Sequence, residues 1–225
     1  METFKNALIF LLNEIINELY PKQCIICGKL YSDEICSKCY KTLEIVAKSQ
    51  KNKNKSFNEH IYLFKYGGTI RKLIIDYKFN DKAYLSDFFT KIIIKNEKIC
   101  RKIKSYDIII PVPIHKKRKN ERGYNQSELI AKKIAKNTNQ LQLVTDSLIK
   151  QKNTVAQSTL TKEQRKQNVK QVYKIANKQK IQNKKIILLD DIYTTGSTVE
   201  ECSKILKQNG AKEILVLTIA KDEIN

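Results

Sequence analysis

No apolar run in this 225-residue chain reaches the length needed to cross a bilayer as a helix. Residues 7 to 12 come nearest, as Ala-Leu-Ile-Phe-Leu-Leu, but Asn13 and Glu14 interrupt them at once. A secretory signal is not expected either: the basic start is weak, and no small-residue cleavage site follows. Missing too is a Gly-x4-Gly-Lys-Ser/Thr string, which argues against a Walker-type ATPase. Tryptophan is absent and there are only two histidines. Of these His115 is better placed than His60, but no general base can be named from position alone. The expectation is a soluble cytoplasmic protein.

What the chain has in excess is positive charge: 43 Lys and Arg against 23 Asp and Glu, a formal net charge of +20. Such an excess suits polyanionic partners, either nucleic acid or a phosphate-rich small molecule. Lysine outnumbers arginine, and aromatic residues are not regularly interleaved with it, so charge alone does not choose between them.

Cys24-x2-Cys27 and Cys36-x2-Cys39 form two pairs eight residues apart. Four thiolates so arranged can surround zinc tetrahedrally with no open position, and Gly28 suits the tight turn after the first pair. Disulfides fit poorly without a secretory signal, and a redox site would need one pair only. The expected cofactor is a structural zinc ion. Upstream, Leu8, Leu11, Leu12, Ile15, Ile16 and Leu19 recur at helical spacing. Residues 1–47 then read as a helix and a four-cysteine module, polar residues 48–60 as a linker, and 61–225 as the main domain.

Residues 186 to 198 are Ile-Ile-Leu-Leu-Asp-Asp-Ile-Tyr-Thr-Thr-Gly-Ser-Thr. Ile186 to Leu189 read as a buried, parallel strand. Val199, Cys202, Ile205 and Leu206 mark a helix behind it. Ser197 with Glu200, and Thr198 with Glu201, fit a capping box. A helix N-terminus attracts anions. Thr194, Thr195, Ser197 and Thr198 add hydroxyl donors, and Gly196 lets the backbone come close. Asp190 and Asp191 would repel a phosphate. They suit ribose hydroxyls, or a cation, so the ligand expected here is a ribose 5-phosphate.

A second candidate segment follows the strand Asp107 to Val112, stopped by Pro111 and Pro113. Its basic loop holds His115, Lys116, Lys117, Arg118, Lys119 and Arg122. A solvated charge run is the plain reading; beside the 190–198 loop, a diphosphate clamp is the better one.

The Asp-Asp-x-x-Thr-Thr-Gly-x-Thr string resembles the phosphoribosyl-diphosphate signature of the type I phosphoribosyltransferases. The four cysteines, Pro-Val-Pro-Ile-His with Arg-Gly-Tyr-Asn-Gln, and Asp-Asp-Ile-Tyr-Thr-Thr-Gly-Ser-Thr occur here in the order typical of the ComF family. Those proteins are phosphoribosyltransferase-like and associated with competence and DNA utilisation.

The resemblance spans nearly the whole chain. It implies an α/β fold with a mainly parallel sheet flanked by helices, plus the small zinc module. By it, Asp190 and Asp191 hold the ribose hydroxyls and Thr194 to Thr198 surround the 5-phosphate. His115, Lys116 and Arg118 fall to the diphosphate, which brings Mg²⁺. Residues 150 to 173 match a mobile segment, with Lys150, Lys152, Gln157 and Arg165 as candidates; the family often has arginine near its start, where this chain has lysine.

Three readings stay open: a ComF-like protein binding phosphoribosyl diphosphate in DNA uptake, an accessory factor binding single-stranded DNA or competence proteins, and a nucleobase or amide phosphoribosyltransferase in nucleotide metabolism. If active, the chemistry would displace diphosphate from C1 of the ribose by a nitrogen nucleophile.

Overall fold

The structure is a computed structural model that describes residues 23–53, 55–152 and 172–223. The expected first helix, Gln157 and Arg165 lie outside the described residues. Two compact units divide the chain, Met1–Glu44 and Ile45–Asn225.

In the first unit, the backbone of each cysteine pair folds into a tight turn. The Gly28 N–H donates to the Cys24 carbonyl (2.7 Å), and Gly28 has a positive φ of 72°. Cys36 caps the short helix α1, Ser37–Lys41, its sulfur accepting from the Cys39 N–H. The buried apolar residues among those described here are Cys24, Ile35, Cys36, Cys39 and Leu43. Three of these five are candidate metal ligands, so the described residues of this unit have almost no core apart from them.

The second unit is built on a six-stranded sheet in the order β1-β2-β8-β7-β3-β4. Its strands are β1 (Lys48–Lys51), β2 (Glu59–Lys65), β3 (Ile108–Pro111), β4 (Gln142–Leu143), β7 (Lys185–Tyr193) and β8 (Glu213–Lys221). All neighbours are parallel except β1 with β2. A separate antiparallel ribbon pairs β5 (Leu148–Lys150) with β6 (Tyr173–Ile175). The expected mainly parallel α/β architecture is the observed one.

The central strands are apolar on both faces, because helices cover both. Ile186, Leu188, Ile214 and Val216 cluster with Val199, Cys202 and Leu206 of α7 (Ser197–Gln208). Alternation along a strand sends Ile187, Leu189, Leu215 and Leu217 to the other face, where they are also buried. α6 (Gln126–Asn137) packs against β3 and β7, burying Ile130, Ala131 and Ile134. α2 (Gly68–Phe79) and α3 (Leu85–Lys95) bury apolar residues at helical spacing, Leu73, Ile74 and Tyr77 and then Phe88, Phe89 and Ile92. The short α4 (Glu97–Ile103) follows.

Three expectations are corrected. Residues 48–60 are not only a linker: Lys48–Lys51 pair with Glu59–Tyr62, extending the sheet by an edge strand. Its lysines suit an exposed edge, where charge discourages pairing with another chain. The basic stretch after Pro113 is not a loop but a helix, α5 (Lys116–Arg122), with His115 as its cap and Gly123 ending it at φ 77°. Ser197 with Glu200 does not form the expected capping box. Gly196 caps α7 with no side-chain bond, and Glu200 accepts instead from the N–H and hydroxyl of Ser56 (3.0 and 2.8 Å).

Strand order creates a crevice. From β3 the chain crosses through α6 to β4, on one side; from β7 it crosses through α7 to β8, on the other. Adjacent strands whose connections depart in opposite directions leave an opening at their carboxyl ends, where ligands of open α/β sheets bind.

Candidate functional site

A cavity of about 500 Å³ lies at this opening. Val112, Pro113, Ile114 and Arg118 reach it from the end of β3, and Asp190 to Thr194 from the end of β7. β7 pairs with β3 only as far as Leu189, opposite Pro111, but with β8 as far as Tyr193, opposite Lys221. The last four residues of β7 are thereby held straight on one side and open on the other. Asp190 and Asp191 thus sit in a strand, not in the expected loop.

Neighbouring strand residues point to opposite faces, and the two carboxylates meet different surroundings. Asp190 feels the charge of Lys78 and, less strongly, that of Lys150 in the ribbon, where Tyr173 also lines the cavity. Burial, then the neighbouring Asp191 charge, push the Asp190 carboxyl up to about 7. Its Oδ1 accepts the Asp191 N–H at 2.9 Å. Asp191 lies toward α2, and its Oδ1 accepts from Lys78 Nζ at 2.8 Å.

Beyond the aspartates the chain turns at Gly196, φ 74°, into α7. A Cβ at Gly196 would stand 2.3 Å from the Tyr193 hydroxyl. Tyr193 cannot easily retreat, since its ring stacks on His60 with centroids 4.3 Å apart. Glycine is needed here for both backbone angle and space. The Thr195 and Ser197 hydroxyls are 2.8 Å apart, and Ser197, Thr198 and Gly196 line the cavity at the start of α7. With its positive helix end and clustered hydroxyls, this corner has the chemistry of an anion site.

The other candidates separate. Thr194, Arg118 and Lys150 line the cavity; Thr195 does not, and Lys152 is exposed outside it. His115 is spent on the Lys117 N–H (3.3 Å) as the cap of α5, and Lys116 is exposed on that helix; neither lines the cavity. Lys150 and Tyr173, expected in a loop, are opposite each other in the β5–β6 ribbon, the lysine 5.7 Å from the ring centroid. His60 is buried, 2.9 Å from the Thr218 hydroxyl. Burial, then the Lys221 charge, bring it down to about 3, so it stays neutral at ordinary pH.

Sequence reading missed most of one wall of the cavity. Tyr66, Arg71, Ile74, Lys78 and Phe79 come from the end of β2 and from α2, and Arg122 from α5. The Arg122 guanidinium sits 4.6 Å from the Phe79 ring centroid and donates to Gln126 Oε1 (3.1 Å). Only Arg122 carried a signal, being part of the basic stretch.

In the first unit, the Cys24, Cys27, Cys36 and Cys39 sulfurs all lie within 4.8 Å of one another, with Cys27 and Cys36 at 3.8 Å. Metal–sulfur bonds of about 2.3 Å in a tetrahedron place sulfurs about 3.8 Å apart. The group can therefore hold a metal ion. Burial opposes ionisation of Cys24, yet backbone N–H groups led by that of Cys36 bring it down to about 6. Burial, then the other sulfurs, push Cys39 up to about 12.

Residues 123–224 match the phosphoribosyl transferase domain family. The chain is 28% identical to competence protein F of Haemophilus influenzae, over 88% of its own length and 90% of the relative's. The similarity to competence protein F thus runs along most of the chain, and that to the phosphoribosyl transferase domain family covers its C-terminal part. To the DNA utilization protein YhgH of Shigella flexneri it is 26% identical, over 69% of each chain. Among solved structures, purine phosphoribosyltransferase from Pyrococcus horikoshii aligns at 16% identity and a TM-score of 0.41, covering 74% of this chain and 83% of that one. Longer phosphoribosyl enzymes also align, but the chain spans only 33% and 25% of two of them. The region matched by the family runs from Gly123 through α6, the aspartate strand and α7 to the end of β8.

Proposed function

We propose that this protein binds phosphoribosyl diphosphate with Mg²⁺, in the service of DNA uptake or utilisation. The observation that carries the reading is the cavity itself, where two carboxylates for sugar hydroxyls stand beside a helix N-terminus ringed by hydroxyls. Ser197, Thr198 and the backbone after Gly196 take the 5-phosphate, and Asp190 and Asp191 the ribose. Arg118 and Lys150 supply positive charge for the diphosphate. Mg²⁺ arrives with that group and neutralises part of its charge.

Displacing diphosphate from C1 makes the carbon oxocarbenium-like. Catalysis would then consist mainly of holding the sugar and stabilising the leaving anion. The expected result is a rise of several degrees in melting temperature with millimolar phosphoribosyl diphosphate and Mg²⁺. No shift would sink the binding claim.

For the four cysteines we propose zinc as the metal, held for structure. Four protein ligands close the tetrahedron and leave no position for a substrate.

The charge distribution favours one companion reading, single-stranded DNA as a partner. Ile45–Asn225 has 38 basic and 17 acidic residues, whereas Met1–Glu44 has 5 and 6. The excess therefore belongs to the unit that holds the cavity. Binding of a labelled oligonucleotide should weaken steeply between about 50 and 200 mM salt. Affinity that ignores salt would remove nucleic acid from the list of direct partners.

A further inference from the structure

The aspartate pair of such a site has two chemical uses, accepting hydroxyl hydrogen bonds or holding a metal ion. One feature of this chain decides between them. Asp191 already has a cation. Lys78 Nζ, from the last turn of α2, lies 2.8 Å from its Oδ1, and both side chains are largely covered, at 18% and 14% exposure.

This pairing is long-range, joining residues 113 positions apart. α2 is oriented for it by buried neighbours close to Lys78: Tyr77, whose hydroxyl donates to the Gln126 carbonyl at 2.8 Å, and Ile74. Lys78 lines the same cavity as Asp190, Asp191 and Thr194. Its contact is with a group that would face ligand, which separates it from the exposed lysines that give the chain its charge.

We infer that Lys78 is the resident cation of Asp191: it aims that carboxylate at a sugar hydroxyl and takes the place of a metal ion there. Lys78 is a positioning residue, acting through Asp191. A divalent ion approaching Asp191 would meet the ammonium first, and like charges at that separation repel. Any Mg²⁺ therefore enters on the diphosphate alone, and the sugar half of the ligand binds without it. This rests on the sugar-phosphate reading given above.

Ribose 5-phosphate, which has no diphosphate, is the probe that isolates this half. The zinc-loaded full chain is titrated with it by calorimetry, once with Mg²⁺ and once with a chelator too weak to strip the cysteines. The expected dissociation constants agree within about twofold. Lys78→Met keeps the aliphatic stem and should weaken binding about tenfold in both conditions, while Lys78→Arg restores it. Wild-type binding that requires Mg²⁺, or Lys78→Met binding as wild type does, overturns the inference.

A second measurement needs no sugar. Mn²⁺ added to the zinc-loaded protein, followed by electron paramagnetic resonance, should show no site that Asp191→Asn abolishes; such a site overturns the inference. If wild type binds no ribose 5-phosphate, the sugar-phosphate reading falls, and the Mn²⁺ comparison still decides whether Asp191 is a metal ligand.

Discussion

Removing the zinc ion proposed for the four cysteines should unfold the cysteine unit and leave the Ile45–Asn225 unit standing. Among the described residues of Met1–Glu44, the buried apolar set is Cys24, Ile35, Cys36, Cys39 and Leu43. Without the sulfur-bound ion, two aliphatic side chains remain to hold together a segment of turns and one five-residue helix. Such a core does not offset the backbone entropy of ordering it. Structural zinc in small modules contributes on the order of 10 kcal/mol or more, and here it would be nearly the whole driving force. The measurement is amide NMR with and without a strong chelator. Signals of Cys24 to Leu43 should collapse into the unfolded region, and those of Ile187 and Leu215 should not move. Cys24→Ser should reproduce the collapse; persistence of dispersed signals after metal removal would sink the idea.

Asp190→Asn should stabilise the protein at pH 8 while impairing the site. The Asp190 carboxyl is raised from 3.8 to about 7, with burial the larger cause and Asp191 the second. Between those values the folded state holds a proton that the unfolded chain releases. Stability from this group is therefore complete below about pH 4 and is lost as pH rises through 7. Above pH 7 the ionised group costs at most about 4 kcal/mol, the free-energy equivalent of the shift. Asparagine removes that cost and keeps an oxygen for the Asp191 N–H. We expect the variant to melt about 5 °C above wild type at pH 8 and level with it at pH 4. Ribose 5-phosphate affinity should fall about tenfold in the same variant, since a charge-assisted acceptor is gone. Equal melting at both pH values would show that the carboxylate bears no desolvation cost. Such a cost at a cavity wall is what a binding site trades for its chemistry.

Much of the fold can be read along the chain because the elements are local. Leu73, Ile74 and Tyr77 repeat at helical spacing, and the apolar run at 186–189 can only be a covered strand. The cysteine cluster and the chemistry of the 190–198 segment are likewise properties of short strings. Reading went astray wherever a distant partner changed the local outcome. Lys48 to Lys51 look like linker residues but become a strand because β2 offers them an open edge. The pairing of Ile192 with Ala220 and of Tyr193 with Lys221 carries β7 beyond the aspartates. Glu200 abandons the helix cap because Ser56, 144 residues away, supplies two donors.

The sequence by itself determined the chemistry available: four thiols at metal spacing, two carboxylates, a hydroxyl-rich glycine turn and a strong positive charge. Only the tertiary structure decided which groups meet. Lys78 belongs to no motif, and on α2 it reads as one more surface lysine. Sheet order brings the end of β2, and so α2, around the carboxyl ends of β8 and β7, where Lys78 reaches Asp191. The same order splits the adjacent aspartates between two faces of one strand. A pattern of neighbours in sequence specifies which side chains alternate; which surroundings each face meets depends on contacts more than a hundred residues apart.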